Sequence, residues 1–212
     1  MQKLETIIEE IRAEFEAKSA VRDSALQRSR TLIRYCANAI RAVHRSDFAE
    51  AESLLATARE AAREMVADLE PYPDLYHAGY TQDALKEYVE AEMVYAFTKN
   101  GHLPTPSEVG VPSPAYLKGL AEAASELRRH SLDLMRQNEL HRSEEMLGIM
   151  DDVYSQLMTV DFPDAITGGL RRTTDMLRGV VQRTRGDLTT AFRQEMMRQA
   201  LQDFEARIGM DA

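Results

Sequence analysis

The first 70 residues contain neither proline nor glycine, and this constrains the fold more than any other feature of the sequence. Those two residue types are the ones that most strongly interrupt helices. Apolar residues recur at helical spacing from Leu4 to Val43. We therefore predict one very long helix there, or two helices that are broken near Asp23. A second helix should begin after a cap at Ser46-Asp47 and run to about Glu70.

Five further helices follow from the same periodicity. Proline residues 71 and 73 separate the second helix from the third, and the segment from His102 to Pro114 holds four of the seven prolines. Composition is 44% hydrophobic and only 7% aromatic, which is typical of helices rather than sheets. The sequence thus predicts an all-α fold of seven helices in a single domain over 1–212. The last five helices are expected at about 73–100, 114–136, 139–160, 164–184 (closed by Arg185-Gly186) and 187–208.

Composition also excludes several classes of protein. The single cysteine, Cys36, rules out an internal disulfide framework and a cysteine-based zinc cluster, and its helical pattern favours a small core residue. The chain begins with charged helical sequence rather than a secretory signal. No apolar run approaches the roughly 20 residues that a membrane span needs. We therefore expect a cytoplasmic protein without membrane contact.

The charge of the chain is strongly segregated. Net charge is −9, yet residues 22–45 carry six arginines against one acid, and residues 171–207 carry eight arginines against five acids. Such segregation permits a basic face that binds a polyanion. Arginines that are scattered around solvated helices would give the same counts, and charge alone does not decide between the two.

Two pairs of glutamates are the candidate chemical groups. Glu87 and Glu90 are three residues apart, Glu122 and Glu126 are four apart, and each spacing puts both carboxylates on one helix face. Gly119, one turn before Glu122, permits a close approach of a neighbouring helix. If the third and fourth helices are antiparallel neighbours, four carboxylates converge. Such a cluster requires raised pKa values or a bound cation, and oxygen ligands favour Mg²⁺ or Mn²⁺.

Two other interpretations of these glutamates compete with a Mg²⁺ or Mn²⁺ site. A di-iron site in a helical bundle needs Glu-x-x-His pairs, and none occurs in the sequence. Ordinary surface glutamates paired with Lys86, Arg128 or Arg129 would show the same spacing. The spacing by itself therefore leaves a metal site and a solvated surface both open.

The sequence resembles the translin and translin-associated factor X family, in its archaeal single-gene form. The most specific segments are Glu-Tyr-Val-Glu-Ala at 87–91 and Tyr-Leu-Lys-Gly-Leu-Ala at 116–121. The other matching segments occur in the same order as in the family. They are Met-Asp-Asp-Val-Tyr at 150–154 and the arginine-containing segments at 30–34, 40–45 and 183–186. The resemblance extends from about residue 22 to residue 186.

The resemblance implies a seven-helix fold, assembly into a hollow homo-octamer, and binding of single-stranded or short duplex nucleic acid inside it. It further implies Mg²⁺-dependent endoribonuclease activity, as in factor-X-like members, with Glu87, Glu90, Glu122 and Glu126 as catalytic and metal-binding residues. Glu122 stands where the family has aspartate. Asp83 is a candidate supporting residue, and Glu92 points away from the pair and is left out.

Nucleic-acid contacts are expected from arginines of the first and sixth helices, through phosphates rather than bases. The alternative function is a non-catalytic assembly that binds single-stranded DNA or RNA, as in translin-like members. The acidic residues discriminate between the two functions. The arginines expected to bind nucleic acid are Arg30, Arg34, Arg41, Arg45, Arg183 and Arg185.

Overall fold

The structure is a computed structural model that describes residues 2–99 and 101–210. It falls into two compact units, Met1–Gly119 and Leu120–Ala212, each of which is described by itself. The boundary between the units lies inside one helix. Asn100, where we predicted the third helix to end, lies outside the described residues, as do the two ends of the domain predicted over 1–212. That single domain stays a prediction.

Nine helices and no strand are found in the described part of the chain. The all-α prediction is therefore confirmed, whereas the count of seven is wrong, chiefly because three four-residue helices lie between the longer ones. The helices are α1 (Gln2–His44), α2 (Phe48–Leu69), α3 (Pro73–Tyr76), α4 (Gly79–Lys99), α5 (Pro106–Val109), α6 (Ser113–Arg136), α7 (Leu140–Leu157), α8 (Asp164–Thr167) and α9 (Leu170–Met210).

The predicted boundary between the sixth and seventh helices is wrong. The chain continues as one helix, α9, through Gly186. Gly186 has no positive φ, and its carbonyl accepts a hydrogen bond from the Thr190 hydroxyl at 3.0 Å. A glycine in a helix interior costs only about 1 kcal/mol relative to alanine, which the flanking helical sequence offsets. Likewise α1 is continuous through Asp23, where a break was one of the two alternatives.

In the first unit, α4 is the central helix and packs against α1 and α2. Its side chains are buried on most sides, which is why it lacks a clear polar face. Helix α1 contributes to this core only from Ala25 onward, whereas residues 3–17 of α1 are all exposed. The largest fully buried side chains of this core are Leu32, Met65, Leu69, Leu85, Tyr88 and Met93.

In the second unit, α7 packs against α9, and α6 contacts both through the Ser131–Ser143 and Arg128–Asp187 hydrogen bonds. The hydroxyls of Ser131 on α6 and Ser143 on α7 are 2.7 Å apart in the buried interior. Such a pair satisfies both polar groups at a place where an unpaired hydroxyl would be costly. Leu127, Met150 and Leu177, one on each of these three helices, are fully buried.

Local signals set the beginnings of two helices. The Asp47 carboxylate accepts a hydrogen bond from the Glu50 backbone N–H at 3.1 Å, which confirms the predicted N-cap of the second helix. In the proline-rich loop, Thr105 and Glu108 form a capping box that starts α5, and Gly110 ends that helix with φ 67°. Across the described ranges, none of the helices is both long enough and apolar enough to cross a bilayer.

The continuity of α9 gives a first prediction. Nothing lies within 4 Å of a Cβ built on Gly186, so alanine fits the helix there without a clash. Gly186→Ala should therefore raise the free energy of unfolding by about 0.5–1 kcal/mol, because alanine loses less backbone entropy. Urea denaturation followed by circular dichroism measures this change. A clear loss of stability would mean that residue 186 adopts a conformation that only glycine tolerates.

Candidate functional site

The first predicted pair of carboxylates lies on the central helix α4. Glu87 and Glu90 are both half-buried, whereas Asp83, one turn earlier, is exposed. The Glu87 carboxylate lies 3.1 Å from the Lys86 ammonium, whose side chain is only 15% exposed. The pairing of Glu87 with Lys86 was part of the surface-glutamate alternative, so the ion pair alone does not decide between a structural and a functional role.

The face of α1 that packs on α4 places Cys36 close to these carboxylates. Burial raises the pKa of the Cys36 thiol, and the negative charges of Glu87, Glu92 and Glu90 raise it further. A thiol in such surroundings stays protonated at neutral pH and is a poor nucleophile and a poor metal ligand. The structure therefore agrees with the prediction that Cys36 is a core residue.

Glu92 occupies a different side of α4 and has a different environment. It is 6% exposed, and its carboxylate accepts a hydrogen bond from Arg59 of α2 at 2.7 Å. Burial, followed by the negative charge of Glu92, raises the pKa of the neighbouring Tyr88 hydroxyl. This ion pair between a partly exposed arginine and a buried carboxylate ties α2 to α4 and accounts for Glu92 without any ligand. The sequence had left Glu92 out of the site but gave no partner for it.

Gly119 of α6 makes a close contact with α4. A Cβ built there would lie 2.6 Å from the Lys86 carbonyl oxygen and 2.7 Å from the Val89 Cβ of α4. Both distances are far below van der Waals contact, so only glycine permits the two helices to approach this closely. The predicted role of Gly119 as a point of close helix approach is confirmed.

The second predicted pair lies on the same helix α6, beyond the boundary between the units. Glu122 and Glu126 are half-buried, and they follow Gly119 by about one and two turns on one helix face. Arg128, one of the partners in the surface alternative, instead donates to Asp187 at 2.7 Å and to Thr184 at 3.1 Å on α9. That arginine is therefore committed to packing within the second unit.

Four of the predicted arginines form a stripe on α1. They are separated by four, seven and four residues, which puts them within about 60° of one another around the helix. All four are exposed, and the stripe extends about 22 Å along the helix axis. Arg45 pairs with Glu50 at 2.6 Å, and Arg41 donates to Asn38. We call this set the α1 arginine stripe; its members are Arg30, Arg34, Arg41 and Arg45.

The two predicted arginines of α9 do not form such a stripe. They are two residues apart, so they point to nearly opposite sides of the helix. Arg185 is half-buried and pairs with Asp151 of α7, which gives it a structural role. Arg183 is exposed and takes part in no ion pair with any residue that the structure describes.

Two features of the site were not predicted from the sequence. The common face of the α1 arginine stripe could have been found from its spacing, because each step is close to a whole number of helical turns. The burial of Glu92 had a weaker signal, since its neighbours Ala91 and Met93 are apolar. Nothing in the sequence pointed to Arg59 as its partner, because the two residues are 33 positions apart.

Known proteins with a similar sequence and structure indicate the family to which this chain belongs. No protein-family model matches the chain. An uncharacterized protein of Methanocaldococcus jannaschii is 31% identical over 186 residues, which is 87% of this chain and 82% of that protein. The solved structure of AfC3PO is 30% identical, with a TM-score of 0.82 over 89% of this chain and 98% of that one. The chain belongs to the translin family.

Two further structures agree with this membership. AfC3PO in complex with duplex RNA matches with a TM-score of 0.80, at the same identity and coverage. Apo-NeC3PO matches with a TM-score of 0.79 over 87% of this chain and 96% of that one, at 20% identity, which shows the likeness of the fold alone. This member of the translin family therefore has the all-α architecture that its sequence predicts.

The close approach at Gly119 gives a second prediction. In Gly119→Ala the new methyl group would overlap the Lys86 carbonyl and the Val89 side chain. We expect the free energy of unfolding to fall by about 1–3 kcal/mol, the usual cost of overpacking, because backbone must shift. Gly148→Ala is the matched control, since nothing lies within 4 Å of a Cβ there and Gly148 is an exposed helix residue. The control should be neutral or slightly stabilising.

The ion pair between Arg59 and the buried Glu92 carboxylate gives a third prediction. Arg59→Met keeps most of the side-chain volume but leaves the Glu92 carboxylate buried without its partner. We expect a loss of about 2 kcal/mol in the free energy of unfolding. Arg63→Met, which removes the exposed pair with Glu60, should change stability by less than about 1 kcal/mol. Equal losses in both variants would contradict the structural role of the Arg59–Glu92 pair.

Proposed function

We propose that this translin-family protein is a Mg²⁺-dependent endoribonuclease that binds single-stranded or short duplex RNA. It acts as a hollow homo-oligomer, an octamer in this proposal, and single-stranded DNA is a second ligand. The observation that carries the proposal is the combination of translin-family membership with two carboxylate pairs on α4 and α6. Manganese would substitute for magnesium, since both ions prefer oxygen ligands.

The likeness to AfC3PO supports the choice of ligand. That protein has been solved in complex with duplex RNA, and its chain matches this one over 98% of its length. Transferred to this chain, the likeness favours RNA as the polyanion that the segregated arginines bind. Self-association would bring several α1 arginine stripes into one assembly.

Helix geometry supports the proposed metal ligands. Gly119 brings α6 against α4 at Lys86 and Val89, the residues that directly precede Glu87 and Glu90. Helix α6 continues from that contact without interruption, and Glu122 follows Gly119 by one turn on nearly the same face. Glu87, Glu90 and Glu122 are each half-buried and each offer a carboxylate oxygen as a candidate ligand. Glu126, one turn later, completes the proposed set.

The chemistry of these donors fits a hard divalent cation. All four are carboxylates, with no imidazole or thiolate among them, which favours Mg²⁺ or Mn²⁺ over zinc or copper. Half-burial leaves the carboxylates accessible and lowers the local dielectric relative to bulk water. Glu122 has one methylene more than the aspartate of the family, which shifts the reach of that ligand. When bound, the ion would supply an activated water and stabilise charge on the leaving oxygen.

The chain itself supplies binding and orientation. The α1 arginine stripe would contact phosphates of one strand, since its length of about 22 Å spans several nucleotides. Such contacts give little base preference and strong salt dependence. Arg185 has less to contribute, because Asp151 already neutralises it. Arg183 remains exposed for the same purpose on α9.

A non-catalytic assembly that binds nucleic acid is the second candidate function. AfC3PO has been solved in complex with duplex RNA, which requires binding and not cleavage. The Lys86–Glu87 ion pair favours this candidate, because it gives one of the proposed ligands a structural partner. The two candidates differ in the role of Glu90 and not in that of the arginines.

Cleavage of labelled single-stranded RNA by Glu90→Gln provides the fourth prediction. The variant keeps the size of the side chain but removes the charge, so we expect cleavage to fall at least a hundredfold while RNA affinity changes little. Cleavage by the unchanged protein should require Mg²⁺ or Mn²⁺ and stop in EDTA. Gel electrophoresis measures cleavage, and fluorescence anisotropy measures binding in the same samples.

Glu144→Gln serves as the matched control, because Glu144 is an exposed glutamate on α7. Its cleavage rate should equal that of the unchanged protein. Cleavage that persists in EDTA or in Glu90→Gln would contradict the proposed metal site. Absence of cleavage in every sample, together with salt-sensitive binding, would favour the non-catalytic assembly.

A further inference from the structure

The N-terminal part of α1 carries an apolar stripe that the fold leaves exposed. Every residue from 3 to 17 is exposed, so this part of the helix projects away from the core that α1 shares with α4. Five large apolar side chains lie within it, between 41% and 63% exposed. Water contact at so many aliphatic groups is unfavourable, which indicates a surface that another molecule covers. The five residues are Leu4, Ile7, Ile8, Ile11 and Phe15.

Four of these residues are spaced as in a coiled-coil seam. From Leu4 the steps to Ile8, Ile11 and Phe15 are four, three and four residues, the pattern of heptad positions d, a, d and a. On a helix they lie within about 60° of one another. We call these four residues the α1 seam. A seam of this kind packs best against a second helix with the same spacing, because each side chain enters a gap between four others.

The charges beside the seam select the partner. Glu5 and Arg12 occupy equivalent e positions on one flank. When two copies of the seam pair antiparallel with Leu4 opposite Phe15, Glu5 of each chain lies opposite Arg12 of the other. Two-fold symmetry thus produces two opposite-charge pairs from a single interface. A parallel pairing of the same seams produces neither pair.

The other exposed seam of the protein is a poorer partner. Met197, Leu201, Phe204 and Ile208 of α9 repeat the same spacing and are 54–67% exposed. An antiparallel pairing of this seam with the α1 seam in the corresponding register would place Glu5 opposite Glu205 and Arg12 opposite Arg198. Like charges in those positions are destabilising. Charge complementarity therefore favours a second α1 seam over the α9 seam.

We propose that the α1 seam is an interface between two copies of this chain, with the two α1 helices antiparallel across a two-fold axis. The inference rests on the self-association included in the proposed function and is independent of catalysis. The buried remainder of α1, from Ala25 onward, already holds the helix in place, so pairing requires little additional ordering. The seam is short, and we expect the association to depend on concentration in the micromolar range.

Charge reversal tests the pairing and its orientation, and it is the fifth prediction. Glu5→Arg and Arg12→Glu should each weaken self-association about tenfold, because each turns two attractive pairs into two repulsive ones. The double variant Glu5→Arg/Arg12→Glu should recover the affinity of the unchanged protein. An equal mixture of the two single variants should also associate, since each supplies the charge that the other lacks. Sedimentation velocity over a concentration series measures all four samples.

Two further variants serve as controls. Glu10→Arg makes the same change of charge about 130° away from the seam, so it should leave association unchanged. Ile8→Asn removes apolar area from the centre of the seam and should weaken association more than either charge reversal. Circular dichroism checks that every variant keeps its helices, since all these positions are exposed.

The outcomes separate this inference from the proposed function. An oligomer whose mass is the same in the unchanged protein, Glu5→Arg and Ile8→Asn would overturn the α1 seam and leave the proposed function intact. A monomer at every concentration of the unchanged protein would overturn both. Weakening in the single variants without recovery in the double variant would overturn the antiparallel pairing.

Discussion

The contact of Gly119 with α4 is the constraint on which the candidate site depends. A missing side chain lets the α6 backbone lie against the Lys86 carbonyl and Val89, closer than any other residue type would allow. The contact falls beside the Glu87 and Glu90 pair of α4. Helix α6 continues from that contact without interruption and carries Glu122 and Glu126 on nearly the same face as Gly119.

Helix α4 carries glutamates in two different environments. Glu92 is almost fully buried and has its charge balanced by Arg59, so it needs nothing further. Glu87 and Glu90 are half-buried and remain within reach of solvent. A buried acid with a dedicated partner stabilises the packing of α2 on α4, whereas a partly exposed pair is available to a cation. One helix therefore serves the core and the candidate site on different sides.

Sequence periodicity predicted most of the helices because most have a polar and an apolar face, and residue type predicted the Ser46-Asp47 cap because the capping contact is local. The sequence predictions failed where a local feature was interpreted without its tertiary surroundings. Gly186 looked like a helix end, yet α9 continues through it, since one glycine costs less than the flanking helix gains. The apolar residues between Leu4 and Phe15 correctly indicated a helix, yet the rest of the unit never reaches them.

The sequence by itself determined the all-α class, the faces on which the glutamate pairs and the α1 arginine stripe lie, and the resemblance to the translin family. The faces follow from spacing along one helix, which the 3.6-residue period fixes, whereas the resemblance follows from matching segments such as 87–91 and 116–121. Only the tertiary structure decided which charges are already neutralised: Arg128 by Asp187, Arg185 by Asp151, and Glu92 by Arg59. Those pairs join residues that are 33 to 59 positions apart, and helical periodicity carries no information about which helices become neighbours.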